Sequence, residues 1–133
     1  MKLAHTTIER LVEAARRAQK RAYAPYSKFS VGAAVLAEDG QVFPGCNVEN
    51  SSFGLTVCAE RNAVAAAIVA GARPVAVAVV APGTATAPCG ACRQVLAEFS
   101  AAMPVILASP EGEDRHVETL DALLPGAFKF GKG

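Results

Sequence analysis

The sequence predicts a three-layer α/β/α domain, in which helices cover both faces of a mixed sheet of about five strands. Two observations support this prediction. Apolar runs of strand length alternate with segments of helical periodicity, and the later apolar runs are nearly continuous, which is typical of strands covered on both faces. In addition, the chain has 133 residues, 52% of them hydrophobic. That is enough for one packed domain, which we expect to span residues 1–133.

The first element is predicted to be a helix. Thr6 and Glu9 have the spacing of a capping box, and the apolar residues after them recur at helical spacing. The helix is expected to end at residues 23–26, because Pro25 disfavours helical conformation in the residue before it.

The next segment predicts a β-hairpin. Residues 31–37 and 41–48 form two extended runs around the Gly-containing turn at residues 38–40. Pro44 lies within the second run and has no N–H to donate to a ladder. We therefore expect a bulge or a sheet edge at this position.

The second half of the chain alternates helices and strands. An alanine-rich stretch with Val64 and Ile68 four residues apart predicts a helix that Gly71 ends. Apolar runs of strand length follow, separated by another helical segment. The predicted elements are a helix at 58–70, a strand at 74–81, a helix at 89–99, strands at 104–108 and 116–119, and a helical turn at 120–124.

Charge and hydropathy exclude two kinds of partner. The longest candidate membrane stretch, residues 74–82, is far shorter than the ~20 apolar residues that cross a bilayer. The formal net charge is +1, whereas proteins that neutralise many phosphates carry a strong basic excess. We therefore expect no membrane and no long nucleic acid as partner. The local basic cluster is typical of a solvated helix face and consists of Arg16, Arg17, Lys20 and Arg21.

The N-terminus bears on the state of the four cysteines. It has neither an apolar signal core nor a small-residue cleavage site, so we expect a cytoplasmic protein with reduced thiols. In that setting, metal or catalytic roles for cysteine outrank a disulfide framework.

Three of the four cysteines lie at the start of predicted helices. Cys89 and Cys92 form a Cys-x-x-Cys turn, and Cys58 opens the preceding helix. A helix N-terminus favours the thiolate, which is the form that binds zinc. Three protein ligands plus water are the catalytic zinc arrangement, whereas four protein ligands are the structural one. A lone Cys-x-x-Cys also fits a redox pair or half of a structural site. Cys46 is a possible fourth ligand, but we expect it to be a core residue.

Glu60 strengthens the catalytic interpretation. It follows Cys58 by two residues, on the first helical turn, where a carboxylate can approach the open zinc position without filling it. There it can take a proton from zinc-bound water and return it to the substrate. A first-turn glutamate alone is adequately explained by the helix dipole. Cys-x-Glu followed after about 30 residues by Pro-Cys-x-x-Cys is much less common, and it is the signature of zinc-dependent nucleobase deaminases.

Further motifs occur in order along nearly the whole chain. They are Tyr26-Ser27-Lys28-Phe29, Val31-Gly32-Ala33-Ala34, Gly45-Cys46-Asn47-Val48-Glu49-Asn50, Cys58-Ala59-Glu60-Arg61, Pro88-Cys89-Gly90-Ala91-Cys92-Arg93-Gln94 and Leu123-Leu124-Pro125. With the signature above, these motifs make the chain resemble the cytidine deaminases, in particular the short homotetrameric kind with three cysteine ligands. The resemblance implies a cytidine deaminase-like domain.

The resemblance implies hydrolytic deamination of cytidine and 2′-deoxycytidine to uridine and 2′-deoxyuridine plus ammonia, as in pyrimidine salvage. Cys58, Cys89 and Cys92 would hold zinc. Zinc-bound hydroxide would attack C4 of cytosine, while Glu60 would carry protons to N3 and to the departing amino group. Arg61 would offset the negative charge of three thiolates by hydrogen-bonding the ligand sulfurs.

The resemblance also implies the contacts with a nucleoside. Asn47 and Glu49 match the pair that grips the ribose hydroxyls, and residues at i and i+2 of an extended segment point to one side. Phe29 matches the aromatic that packs against the base, and the backbone N–H of Ala59 would bind the base carbonyl. Phe128 matches an aromatic that reaches into a neighbouring subunit's site, which implies a homotetramer with shared active sites.

One residue departs from the family pattern. Phe53 stands where the family often has Tyr, whose hydroxyl is directed to the sugar side of a site. The lost hydrogen bond is worth ~0.5–1.5 kcal/mol. We expect a change of this size to shift affinity between nucleosides and to leave the chemistry intact.

Two alternatives differ in substrate or in class. The same chemistry fits a modified nucleoside, such as a blasticidin-type antibiotic, or a nucleic-acid base; the near-neutral charge and the Asn47/Glu49 pair favour a free nucleoside. The other alternative is a non-catalytic zinc module that uses all four cysteines. It predicts that Cys46→Ser loses zinc and that Glu60→Gln changes nothing. The enzyme hypothesis predicts the reverse.

Overall fold

The computed structural model describes residues 2–83 and 86–131. The domain predicted over residues 1–133 thus has positions 1, 84, 85, 132 and 133 outside the described residues. In chain order, the elements are helix α1 (His5–Gln19), strands β1 (Gly32–Ala37) and β2 (Val42–Cys46), a short 3₁₀ turn (Phe53–Leu55), helix α2 (Ala59–Val69), strand β3 (Pro74–Val80), helix α3 (Gly90–Ala97), strands β4 (Pro104–Ala108) and β5 (His116–Thr119), and helix α4 (Leu120–Leu123).

The described strands form one five-stranded sheet in the order β2-β1-β3-β4-β5. Strands β3 and β4 are parallel, and the other neighbours are antiparallel. This confirms the predicted mixed sheet. Pro44 lies in β2, which is an edge strand, so a residue without an N–H is tolerated there.

Helices cover both faces of the sheet, which confirms the three layers. Alternate residues of the central strands point to opposite faces. In β4, Ile106 packs in the core beneath α1, whereas Val105 and Leu107 pack in the core beneath α2, α3 and α4. Strand β3 is apolar at every position because both of its faces are covered.

The predicted capping box at the start of α1 is wrong. The helix begins at His5 after Ala4, with no side-chain cap, so Thr6 lies inside the first turn. The carboxylate of Glu9 instead accepts two hydrogen bonds from the Arg115 guanidinium, at 2.8 and 2.9 Å. A bidentate ion pair of this kind is stronger than a neutral cap and ties α1 to the start of β5.

Two basic residues of α1, Arg16 and Arg17, make contacts within the domain. Arg16 donates to the carbonyls of Ser109 and Gly112, the latter at 2.7 Å, and so fastens the loop before β5 to the helix. Arg17 pairs with Glu13 one turn earlier. The described helices include none with the length and hydropathy of a membrane span.

Helix α2 rests directly on the backbone of strand β2 at Gly45. A Cβ atom at this position would lie 2.5 Å from the backbone N of Ala63 and 2.6 Å from the carbonyl O of Ala59. Nearby, Asn62 of α2 donates to the carbonyl of Cys46 at 2.8 Å. These contacts fix the N-terminal end of α2 against the end of β2.

Candidate active site

Three cysteine side chains converge at the N-termini of two helices. Cys58 precedes α2 and Cys89 precedes α3, each as the N-cap residue, while Cys92 lies in the first turn of α3. Their sulfur atoms all lie within 4.8 Å of one another. The Cys58 and Cys89 sulfurs are 3.7 Å apart. The sequence prediction that these three residues form one cluster agrees with this geometry.

The spacing and chemistry of the three thiols fit a zinc ion. Tetrahedral zinc with Zn–S bonds of about 2.3 Å places neighbouring sulfurs about 3.8 Å apart. The 3.7 Å separation of Cys58 and Cys89 matches that value. Zinc is therefore the cofactor of this site, and a set of three protein ligands leaves the fourth position for water or substrate.

The thiols of the Cys-x-x-Cys turn differ in acidity. Burial raises the pKa of Cys89, but hydrogen bonds from Cys92 and Cys58 outweigh it, so the net pKa lies below the usual range. Burial raises the pKa of Cys92 far above its usual range, and the nearby charges of Glu60 and Cys58 add to the effect. Metal binding therefore displaces a proton from Cys92 at neutral pH.

Arg61 supplies positive charge beside the sulfurs. Its terminal nitrogen lies 3.5 Å from the Cys58 sulfur and 3.5 Å from the Thr56 carbonyl. Hydrogen bonding to Cys58 raises the pKa of the guanidinium. Its Nε is buried and has no hydrogen-bond partner within the described part of the chain. A cation with spare donor capacity suits an anionic metal–thiolate group.

Glu60 is a buried carboxylic acid beside the cysteine cluster. Only 3% of the residue is exposed. Burial raises the pKa of its carboxyl group, which its own backbone N–H, the Arg61 charge and the Cys92 thiol only partly offset. A carboxyl group with a raised pKa is suited to accepting and donating protons near neutral pH.

A cleft of about 310 Å³ opens beside these groups. Its volume lies within the range of sites that bind small molecules. The half-buried Cys58 and the exposed Cys89 form one part of its wall, and Glu60 lies beside them. The site residues predicted from the sequence that line it are Phe29, Asn47, Glu49, Cys58, Ala59, Glu60 and Cys89.

Glu49 is held by the loop before β1. Its carboxylate accepts hydrogen bonds from the backbone N–H of Tyr26 at 3.0 Å and of Ser27 at 3.2 Å, and from the Ser27 hydroxyl. The Ser27 hydroxyl, followed by these N–H groups, lowers the pKa of Glu49. The carboxylate thus remains an anionic acceptor at the mouth of the cleft.

Asn47 is only 8% exposed, and its amide is already engaged. Its Oδ1 accepts from the N–H of Val31 and its Nδ2 donates to the carbonyl of Phe29, both at 2.9 Å. One amide N–H and one oxygen lone pair remain available. Asn47 therefore fixes the backbone on both sides of residue 30, in addition to lining the cleft.

Two residues predicted from the sequence, Cys46 and Phe128, lie outside the cleft. Cys46 is half-buried in a separate groove beside Arg17 and Arg21, so its prediction as a core residue is wrong. It lies in the edge strand β2, whose residues other than Pro44 are half-buried. It is outside the sulfur cluster, which does not support the four-cysteine alternative. Phe128 is 70% exposed and does not line the cleft of its own chain.

Ser27 lines the cleft and holds Glu49, although the sequence predictions assign it no role. Its place in the Tyr26-Ser27-Lys28-Phe29 motif is the one signal that the sequence offers. The next residue, Lys28, adopts a φ of 61°, a left-handed conformation rare outside glycine. This turn brings Ser27 and Phe29 to the same cleft.

A family model described as the cytidine and deoxycytidylate deaminase zinc-binding region matches residues 5–108. The chain is 51% identical over 124 residues to a cytidine deaminase of Sporosarcina psychrophila, covering 91% of this chain and 90% of that protein. It is 50% identical over 121 residues to a cytidine deaminase of Halalkalibacterium halodurans, covering 89% and 91%.

Solved structures show the same fold. The crystal structure of cytidine deaminase from Burkholderia pseudomallei superposes with a TM-score of 0.86 at 49% identity, covering 95% of this chain and all of that chain. The crystal structure of cytidine deaminase from Mycobacterium tuberculosis superposes with a TM-score of 0.79 at 44% identity, covering 92% and 97%. The three-layer arrangement and the mixed sheet are thus shared with these proteins.

Proposed function

This chain belongs to the cytidine and deoxycytidylate deaminase family, and from that premise we propose that it hydrolyses free cytidine and 2′-deoxycytidine to uridine and 2′-deoxyuridine plus ammonia. The observation that carries the proposal is the position of Glu60. This buried carboxyl group lines a cleft of nucleoside size, next to three clustered thiols. We place the enzyme in pyrimidine salvage, within the cytoplasm, as one domain over residues 1–133.

Cys58, Cys89 and Cys92 are the zinc ligands of this proposal. Two helix N-termini present them, so free N–H groups and helix dipoles stabilise the thiolates. The chemistry that bound zinc supplies is a water molecule made nucleophilic at neutral pH. Arg61 donates toward the Cys58 sulfur and offsets the negative charge of three thiolates.

Glu60 moves the protons. It accepts one from the attacking water and passes it to N3 of the base. It then takes the remaining proton from the oxygen now bonded to C4 and delivers it to the amino nitrogen that leaves. Water adds at C4 and the C–N bond breaks, so the products are uridine and ammonia. Burial supports this role because it brings the pKa of the carboxyl group towards the working pH.

The remaining cleft residues orient the nucleoside. The Glu49 carboxylate accepts hydrogen bonds from the sugar hydroxyls, and the free N–H of the Asn47 amide assists. Phe29 packs against the base, while the backbone N–H of Ala59, the first residue of α2, binds the base carbonyl because it has no partner inside the helix. An anionic group at the sugar repels phosphodiesters, which favours a free nucleoside over a polynucleotide.

Phe128 completes the site of a neighbouring subunit in a homotetramer. Its ring is exposed and lies outside its own chain's cleft. Other large apolar residues are also exposed, among them Phe53, Leu55 and Val69, as expected for a surface that subunits cover. Light scattering tests this point, since a compact monomer with full activity contradicts shared sites.

The reaction is tested by ultraviolet absorbance with cytidine, deoxycytidine and cytosine base. We expect the purified protein to remove the cytidine band with both nucleosides and to leave free cytosine largely unchanged. Glu60→Gln keeps the shape of the side chain and loses the proton carrier, so it retains one zinc per chain and loses nearly all turnover.

Glu98→Gln provides the matched control, because Glu98 is exposed at the end of α3, away from the cleft. It is expected to behave as the unaltered enzyme. Full turnover by Glu60→Gln contradicts the proposed shuttle. Inactivity of the zinc-loaded wild type on all three compounds contradicts the proposed substrates and directs the search to modified nucleosides.

A further inference from the structure

Arg93 connects two parts of the molecule that the proposed mechanism leaves separate. It lies in α3, one residue after Cys92, and is half-buried. Its Nε donates to the carbonyl of Pro88 at 2.8 Å, and its NH1 nitrogen donates to the carbonyl of Leu123 at 2.6 Å. One guanidinium thus bridges the loop before the Cys-x-x-Cys turn and the last residue of α4.

The bond to Pro88 bears on the zinc ligand Cys89. The Pro88 carbonyl belongs to the peptide group that also contains the Cys89 nitrogen, so a donor on this oxygen restrains the plane from which Cys89 projects. Pro88 itself is buried. The neighbouring Cys89 carbonyl is already used, because it accepts the backbone N–H of Arg93 at 3.0 Å.

The bond to Leu123 bears on the C-terminal segment. Leu123 ends α4, and the last carbonyls of a helix lack partners within it, so a guanidinium there satisfies one and complements the helix dipole. The next residue of α3, Gln94, donates from Nε2 to the carbonyl of Phe128 at 3.1 Å. Two consecutive side chains of α3 therefore hold the segment that carries Phe128.

We propose that Arg93 is a positioning residue that joins the Cys89 side of the zinc site to the C-terminal segment, so that zinc binding and the order of residues 124–128 depend on each other. A lysine at this position keeps the charge but has no fork of donors in one plane, so it cannot serve both carbonyls with the same geometry. The inference rests on the proposed zinc ligands.

The test measures zinc affinity and hydrogen exchange in Arg93→Lys. Competition with a chromophoric chelator gives the zinc dissociation constant. Groups that support metal ligands typically change metal affinity by 10- to 100-fold when altered, so we expect about tenfold weaker binding. Exchange is monitored at the amide of Leu124, which donates to the Leu120 carbonyl at 2.8 Å. Zinc is expected to slow this exchange in the wild type and to have little effect on it in Arg93→Lys.

Arg73→Lys is the matched control. Arg73 also donates to a carbonyl, that of Phe99, but lies outside the zinc cluster and the cleft. We expect it to leave both readouts unchanged. Zinc binding by Arg93→Lys within twofold of the wild type overturns the inference, as does weaker binding with zinc-dependent protection of Leu124 retained.

Two further results separate this inference from the proposed function. A wild type that binds no zinc contradicts the proposed ligands. A wild type that binds zinc without slowing exchange at Leu124 contradicts the coupling alone, and this measurement does not depend on how well any variant folds.

Discussion

Replacing Gly45 by alanine tests how helix α2 is positioned. The new Cβ would lie 2.5 Å from the Ala63 nitrogen and 2.6 Å from the Ala59 oxygen, whereas ordinary contacts begin at 3.4 Å. Both atoms belong to the backbone, so no side chain can rotate away. Relief requires α2 to move from β2 by about 0.9 Å at this point.

The cost of this movement has two components. Overpacking a well-packed interior costs about 1–3 kcal/mol, and a clash of backbone on backbone belongs at the upper end of that range. Alanine also lowers the conformational entropy of the unfolded chain, which stabilises the native state by ~0.4–1 kcal/mol where its native conformation is allowed. We therefore expect Gly45→Ala to lower the free energy of unfolding by about 2 kcal/mol.

The same movement displaces Cys58 and Glu60, because they flank Ala59 at the start of α2. A misplacement of about 1 Å at a catalytic group can reduce turnover by ~100-fold. Urea unfolding of the zinc-loaded protein measures the first effect, and the initial rate of cytidine loss measures the second. Gly54→Ala is the control, since a Cβ there meets no atom within 4 Å. A free energy of unfolding for Gly45→Ala within ~0.5 kcal/mol of the wild-type value refutes the reasoning.

Three other perturbations have defined outcomes. Hydrogen bonding by Arg115 lowers the pKa of Glu9, so its stabilisation is complete above pH 4.5 and is lost as the pH falls through the native pKa. Glu9→Gln should therefore lose ~0.5–1 kcal/mol at pH 7 and approach the wild type as the pH falls through that native pKa, measured by urea unfolding at each pH. A difference that is independent of pH contradicts this. Zinc removal by a chelator should lower the thermal midpoint, because free zinc at ~1,000 times its dissociation constant stabilises by about 4 kcal/mol; an unchanged midpoint in calorimetry argues against a native-state site. Phe53→Tyr adds a hydroxyl beside Tyr26 and should change KM by less than about tenfold with kcat unchanged; a large change in kcat would place residue 53 nearer the chemistry.

The order of the elements was predictable because it depends on local patterns. Continuous apolar runs identified β3 and β4, since covering both faces of a strand leaves little room for polar residues. The start of α1 was not predictable in the same way. The partner of Glu9 is Arg115, far along the chain, and only the tertiary fold brings the two side chains together.

The cysteine cluster was predictable from spacing, because a helix N-terminus fixes the positions of the residues at its cap and first turn relative to one another. The engagement of Asn47 and Glu49 was not predictable from spacing. Their partners belong to the loop at residues 26–31, whose path depends on the left-handed conformation of Lys28. Cys46 is a similar case. Free cysteine is usually buried, but this cysteine lies in the edge strand β2 and is half-buried.

The close packing of α2 on the sheet affects how the protein tolerates substitution. Three of the five buried residues of this helix are alanines, at positions 59, 63 and 67, so the interior there contains few side-chain torsions. Alanine loses almost no rotamer entropy on burial, which makes the folded interface inexpensive to order. It also leaves almost no volume to remove, whereas a Cβ added at the facing Gly45 meets the backbone of α2. Sequence variation at this interface should therefore be limited to glycine, alanine and serine, while larger changes are confined to the outer side of the helix.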